Sequence, residues 1–237
     1  MSPTAAQSLR WMAGGHQYFL AQLKLNRDEE LEGPSRLPGW TGRHLLSHLG
    51  HNARALGRLT HWAATGEPTP MYPSPEARAE EIEEGATWPV ARLRAFVEAE
   101  QERLAADLGG FTDTVWQAEV VTAQGRTVPA STIPWLRARE VWIHACDLPT
   151  GGEFADFPED FLGALIDDAR TRRRTAQGID VTVRLTGRPA APDRPGAPYD
   201  PVEGSADALA RWLTGRGTSP SLRTVSGKPL PELPPWL

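Results

Sequence analysis

Glu140 and His144 stand four residues apart in the stretch Trp135-Leu136-Arg137-Ala138-Arg139-Glu140-Val141-Trp142-Ile143-His144-Ala145-Cys146-Asp147. The stretch reads as a helix, and residues at i and i+4 share one helical face. A carboxylate and an imidazole so placed can both reach one metal ion. Both are ligand types that hold zinc in an open catalytic site. Alone, the pair is common on solvated helices. A third candidate ligand lies far upstream, on a segment from about Thr41 to Ala64 that carries His44, His48 and His51.

That segment follows a break at Pro38-Gly39-Trp40, and Thr41 suits an N-cap. Leu45, Leu49, Leu56 and Ala63, flanked by Leu46, Ala53 and Thr60, form one apolar stripe at helical spacing. His48 lies closest to the stripe, whereas His44 and His51 lie further round. Arg43, Arg54, Arg58 and His61 fall on the opposite face, read here as solvated. A histidine at the edge of a core is either a buried imidazole bonded to a neighbour or a metal ligand. The pattern leaves both open.

The whole chain bounds what such residues could serve. Its 237 residues suffice for one large or two small domains. A net charge of −5 and a pI near 5.7 supply no basic footprint for nucleic acid. The one cysteine, Cys146, excludes a disulfide framework and suits a reducing cytoplasm. Its angle on the helix points away from Glu140 and His144, so it reads as a packed or surface thiol. No signal-peptide pattern and no membrane-spanning apolar run is expected. A cytoplasmic protein with no nucleic-acid or membrane partner is expected, and a monomer.

The elements that must position these residues fall into two parts, 1–150 and 151–237. The first holds four helical stretches, about Pro3–Leu25, Thr41–Ala64, Pro89–Leu108 and Ile133–Leu148. Four such helices suggest a bundle, a common place for metal sites. Between the second and third, Glu67–Pro75 is Pro-rich, and Glu76–Glu84 is acidic and reads as a solvated helix surface. Between the third and fourth, Val115–Ala130 alternates and turns at Gln124-Gly125, a strand-like excursion or hairpin. Most of the nine tryptophans read as core or helix contacts.

The second part reads as a small α+β domain. A helix from Pro158 to about Ala176 carries Arg170, Arg172, Arg173 and Arg174 near its end, where cations complement the helix dipole. Asp180–Thr186 alternates as a strand, Ala190–Pro201 is loop, and Val202–Gly204 is a short strand. Ser205 caps a helix that ends near Thr214 in Gly215-Arg216-Gly217. The tail from Pro229 is extended, with Trp236 as an anchor.

Several motifs together resemble the mycothiol-dependent maleylpyruvate isomerases, whose N-terminal half has the DinB-like four-helix fold. They include Leu37-Pro38-Gly39-Trp40-Thr41 leading into Ser47-His48-Leu49, and the run from His61 through Pro70-Met71-Tyr72 to Ser74-Pro75-Glu76-Ala77-Arg78. Further along are Thr122 to Ser131, Arg139 to Leu148, Gly215-Arg216-Gly217 and the closing Pro-Pro-Trp-Leu. The resemblance spans nearly the full length. The Pro-Met-Tyr and Gln-Gly-Arg-Thr-Val-Pro-Ala-Ser stretches are its narrowest part.

The resemblance implies an α+β protein, with an N-terminal DinB-like four-helix bundle and a smaller C-terminal α+β domain. It implies zinc held by His48, Glu140 and His144, the trio that helical geometry suggests, and mycothiol as thiol cosubstrate. His44 and His51 are not expected to be ligands. In the implied reaction the thiolate adds to the cis double bond of maleylpyruvate, the resulting single bond rotates, and thiol elimination gives fumarylpyruvate, a step of gentisate degradation. Arg216 is the implied catalytic and substrate-binding arginine, suited to a carboxylate by its planar fork. Arg126 is a second candidate for the substrate, evenly balanced against an exposed hairpin residue. Two other readings share parts of this pattern: a DinB-type mycothiol S-transferase acting on another electrophile, and a non-catalytic zinc-stabilised protein. The second is disfavoured because structural zinc is usually closed by four protein ligands, often cysteines.

Overall fold

The computed structural model describes residues 3–187 and 199–234, and the chain divides into two compact units, Met1–Gly152 and Glu153–Leu237. The first unit is built on four long helices: α1 (Ala5–Lys24), α3 (Gly42–Thr65), α5 (Val90–Gly109) and α7 (Ile133–Ala145). Between them lie the short α2 (Asp28–Glu32), then α4 (Pro75–Ala86) and α6 (Asp113–Gln117). Each boundary has a local cause. Thr4 and Thr41 close capping boxes on α1 and α3, Ser74 caps α4, and Gly66 ends α3 in the left-handed region at φ 77°.

Packing follows the apolar faces. Helix α3 contacts α4, α5 and α7, while α1 lies against α7. Phe19, Leu23, Leu45, Leu46, Leu49, Leu93, Val97, Val141 and Ala145 form their shared core, all buried. The α3–α5 approach is close enough that a Cβ at Gly50 would stand 2.2 Å from the Phe96 ring. At the α1–α7 contact, Gly15 would meet Trp142 at 2.6 Å.

Three expectations need correction here: the solvated Arg58, the length of the hairpin and the role of Arg173. Arg58 of α3 is not simply solvated: it pairs with Glu81 at 3.0 Å and bonds the Met71 carbonyl, although Glu80, Glu83 and Glu84 of the acidic stretch are exposed on helix α4, as expected of a solvated helix surface. Val115 lies in the helical turn of α6. The antiparallel hairpin is therefore shorter, pairing β1 (Glu119–Val121) with β2 (Thr127–Pro129) in the register Val120 to Val128. Third, Arg173 does more than complement a dipole, as the second unit shows.

The second unit is α+β. Helix α8 (Glu159–Gln177) ends at Gly178 with φ 69°. Strands β3 (Val183–Leu185) and β4 (Val202–Gly204) are parallel, and β5 (Arg223–Thr224) pairs antiparallel with β4. Helix α9 (Ala206–Leu213) packs on α8. Arg173 is buried at 1% exposure and donates to the Leu213 carbonyl at 2.9 and 3.1 Å. Most of the expected 190–201 loop, and the anchor Trp236, lie outside the described residues. Among the described residues, no helix is long and apolar enough to cross a membrane.

Candidate metal centre

His48 projects from α3, and Glu140 and His144 project from α7. The His48 Nε2 lies 3.0 Å from Glu140 Oε2 and 3.2 Å from His144 Nε2, and His144 Nε2 lies 3.3 Å from Glu140 Oε2. Among the described residues these three form the group whose ligand atoms all fall within 4.8 Å of one another. Both histidines are buried and Glu140 is nearly so.

Protonation explains why the arrangement invites a cation. Asp147, three residues after His144, accepts a hydrogen bond from its Nδ1 at 2.8 Å. That bond fixes the Nδ1–H tautomer and turns the Nε2 lone pair into the cluster. Burial lowers the His144 pKa, but Asp147 and Glu140 more than reverse it, so the ring is raised above its ordinary value. Burial pulls His48 down to about 4 against the opposing pull of Glu140, with His144 and Arg78 adding to the drop. Burial alone would raise Glu140, yet hydrogen bonds from His144 and His48 hold its carboxyl well below the usual range. The two imidazole Nε2 atoms stand 3.2 Å apart. Three donor atoms converging in a buried space fit a metal with borderline nitrogen and oxygen preferences.

The neighbouring histidines are held elsewhere. His44 Nδ1 closes the α3 capping box with Thr41, and its Nε2 faces Glu83 at 3.4 Å. His51 is buried, but its Nδ1 bonds the Ser47 carbonyl at 2.9 Å and its ring packs on Trp88 and Phe96. Cys146 is buried at the end of α7 and is a packed thiol.

The two arginines of the sequence reading sit in different settings. Arg126 is exposed in the β1–β2 turn, its backbone tied to Thr122. Arg216 follows α9 in a Schellman ending: Gly215, at φ 74°, donates to the Trp212 carbonyl at 2.9 Å, and the Arg216 N–H donates to the Arg211 carbonyl at 2.9 Å. Its Nη1 donates to the Thr214 carbonyl at 2.7 Å.

Other residues bear on the cluster that the sequence reading did not single out. Asp147 was findable, because His and Asp at i and i+3 face each other on a helix. Trp40 packs its ring 5.4 Å from that of His48. Tyr72, pushed up to about 12 chiefly by burial, feels both Arg78 and Glu140. No local spacing announces these two contacts, because they arise between segments.

Two histidines and a carboxylate converging between facing helices of a bundle form a candidate metal site of the kind enzymes use. Residues 12–149 match the family model of the mycothiol maleylpyruvate isomerase N-terminal domain. A crystal structure of a mycothiol-dependent maleylpyruvate isomerase is 40% identical, with TM-score 0.88, covering 99% of this chain and 98% of that one. A histidine-to-alanine mutant of such an isomerase is 39% identical, with the same TM-score and coverage. No curated protein matches the chain. The chain belongs to the mycothiol-dependent maleylpyruvate isomerase family.

Proposed function

We propose that this protein is a zinc- and mycothiol-dependent isomerase that converts maleylpyruvate to fumarylpyruvate in aromatic (gentisate) degradation, in the reducing cytoplasm. The observation that carries the reading is the convergence of His48 Nε2, His144 Nε2 and Glu140 Oε2 within 4.8 Å, in a chain 40% identical to such an isomerase. His48, Glu140 and His144 would hold the zinc, and the metal would supply the Lewis acidity that converts an incoming thiol to its thiolate.

The remaining chemistry falls to the protein's own groups. Asp147 holds the His144 ring with its Nε2 toward the ligand cluster. Trp40 packs its ring against that of His48 and flanks one side of the cluster. Buried Cys146 is not the thiol, so the thiol comes from outside the chain. Addition of that thiol turns the cis double bond into a single bond that rotates, and elimination of the same thiol restores the double bond as trans. The substrate is a dianion, and Arg216 is the proposed partner for one carboxylate, with Arg126 as the alternative. The domain division at about residue 150 is proposed to separate metal binding from substrate recognition.

Metal analysis of His48→Ala and His51→Ala tests the assignment. His48→Ala loses its zinc and His51→Ala keeps it. Equal zinc content in the two variants overturns the ligand set.

A further inference from the structure

Arg137 is fully buried, at 0% exposure, one turn before Glu140 on α7. Its Nε donates to Gln101 Oε1 at 2.8 Å on α5. Its Nη1 donates to the Leu49 carbonyl and to Asn52 Oδ1, each at 2.9 Å, on α3. Leu49 is the residue after His48, so the guanidinium is bracketed by the two helices that carry the ligand cluster. All three acceptors are neutral, and its Nη2 is buried with no partner. The carboxylate nearest in sequence on α5, Glu100, is engaged instead by Arg54 at 2.8 Å and Arg103 at 2.5 Å.

Burying a cation without a bonded carboxylate costs several kcal/mol and needs a compensating field. Neutral acceptors could be satisfied equally well by an uncharged side chain. The anionic group whose field reaches Arg137 is Glu140, a member of the cluster.

We propose that Arg137 is a charge-setting residue of the site: a permanent buried cation behind the ligand shell that stabilises the anions gathered there, thiolate and dicarboxylate. This rests on the zinc-isomerase reading above. It acts through the ligand shell and does not touch substrate. Electrostatically, a cation there opposes the metal and favours its anionic ligands. A mere strut between α3 and α7 would instead favour the metal, and the two roles therefore differ in sign for zinc.

The test uses the full chain with Arg137→Met, Arg137→Lys and Asn52→Ala. Zinc affinity is read by chelator competition, and the affinity of the zinc-loaded protein for maleate, a cis-dicarboxylate, is read by calorimetry in thiol-free buffer. Arg137→Met should weaken maleate binding by about tenfold, the scale of one charge interaction in a buried setting, while zinc binds as tightly as in wild type or more so. Arg137→Lys and Asn52→Ala keep the charge and should hold maleate within about threefold of wild type. Wild-type maleate affinity in Arg137→Met overturns the proposal. So does zinc affinity lost alike in Arg137→Met and Asn52→Ala, the mark of a strut. If Arg137→Met does not fold, the other two variants decide: both retain maleate under the proposal, and both lose it under the strut. A wild-type protein that takes up no zinc overturns the underlying reading and the proposal together, whereas the other outcomes bear on Arg137 alone.

Discussion

In the first unit, buried polar side chains are joined mainly to one another. His48 meets Glu140 and His144, His144 meets Asp147, and Arg137 meets Gln101 and Asn52. In the second unit, several of the described arginines bond the main chain. Arg173 bonds Leu213 and Pro234 carbonyls, Arg170 that of Val181, Arg211 that of Arg216, and Arg216 that of Thr214. The difference sets what each can do. A convergent set of side-chain donors can exchange its mutual contacts for a metal at little structural cost. An arginine bonded to a helix-terminal carbonyl is already satisfying an orphan acceptor, and a ligand must compete for it.

The comparison breaks most sharply at the cluster. His48→Ala should lower kcat/KM by at least about 10³, the scale of several kcal/mol of metal-supplied charge stabilisation, with little change in thermal stability. A variant that keeps its activity would mean that the convergence of donors is only structural.

A second test asks whether the first unit's buried imidazoles are held for their neutral form. His16, buried on α1, has its pKa lowered from 6.5 to about 4 by burial and then by Arg137. The unfolded chain therefore binds more protons between those values. The associated stability is intact above about pH 6.5 and is lost as pH falls towards 4, to an extent on the order of 2–3 kcal/mol. Denaturant unfolding of His16→Leu beside wild type checks this: the variant's stability should decline less steeply over that window.

Asp147→Asn sharpens the role of the residue behind His144. Such supporting bonds are typically worth about 10- to 100-fold in metal affinity, and a loss of that order is expected with the fold intact. Unchanged zinc affinity would reduce Asp147 to a helix-end partner.

For the second unit, Arg216→Lys separates a carboxylate clamp from a carbonyl cap. A clamp loses its planar fork and about tenfold in kcat/KM. The Schellman ending rests on Gly215 and on main-chain bonds, so thermal stability should hold either way. If kcat/KM holds as well, Arg216 belongs with Arg173 and Arg211 as main-chain support, and Arg126 is next to be tested.

The same contrast explains what could be read from sequence. The proximity of Glu140 and His144 follows from helical spacing alone, whereas the apolar stripe only places His48 nearest the core among three histidines, and the family resemblance selects it. The long helices are legible for the same reason: period and caps are local. Burial of Arg137 and Arg173 is not local, because each depends on acceptors contributed by other elements. The acidic face of α4 is legible as a solvated helix surface, but its packing on α3 is not local: Ile82 is buried, and Ser47 of α3 donates to the Ile82 carbonyl at 2.9 Å. The two-residue β5 has too little pattern to register and exists because it pairs with β4.

The central claim is that an external thiol works at the His48–Glu140–His144 cluster. Its most direct test is the conversion of maleylpyruvate by zinc-loaded protein, with and without added mycothiol, in wild type and Cys146→Ala. The account predicts isomerisation only when mycothiol is present, no net thiol consumption, and equal rates for the two proteins. Full activity in thiol-free buffer, or activity that disappears with Cys146, would contradict it.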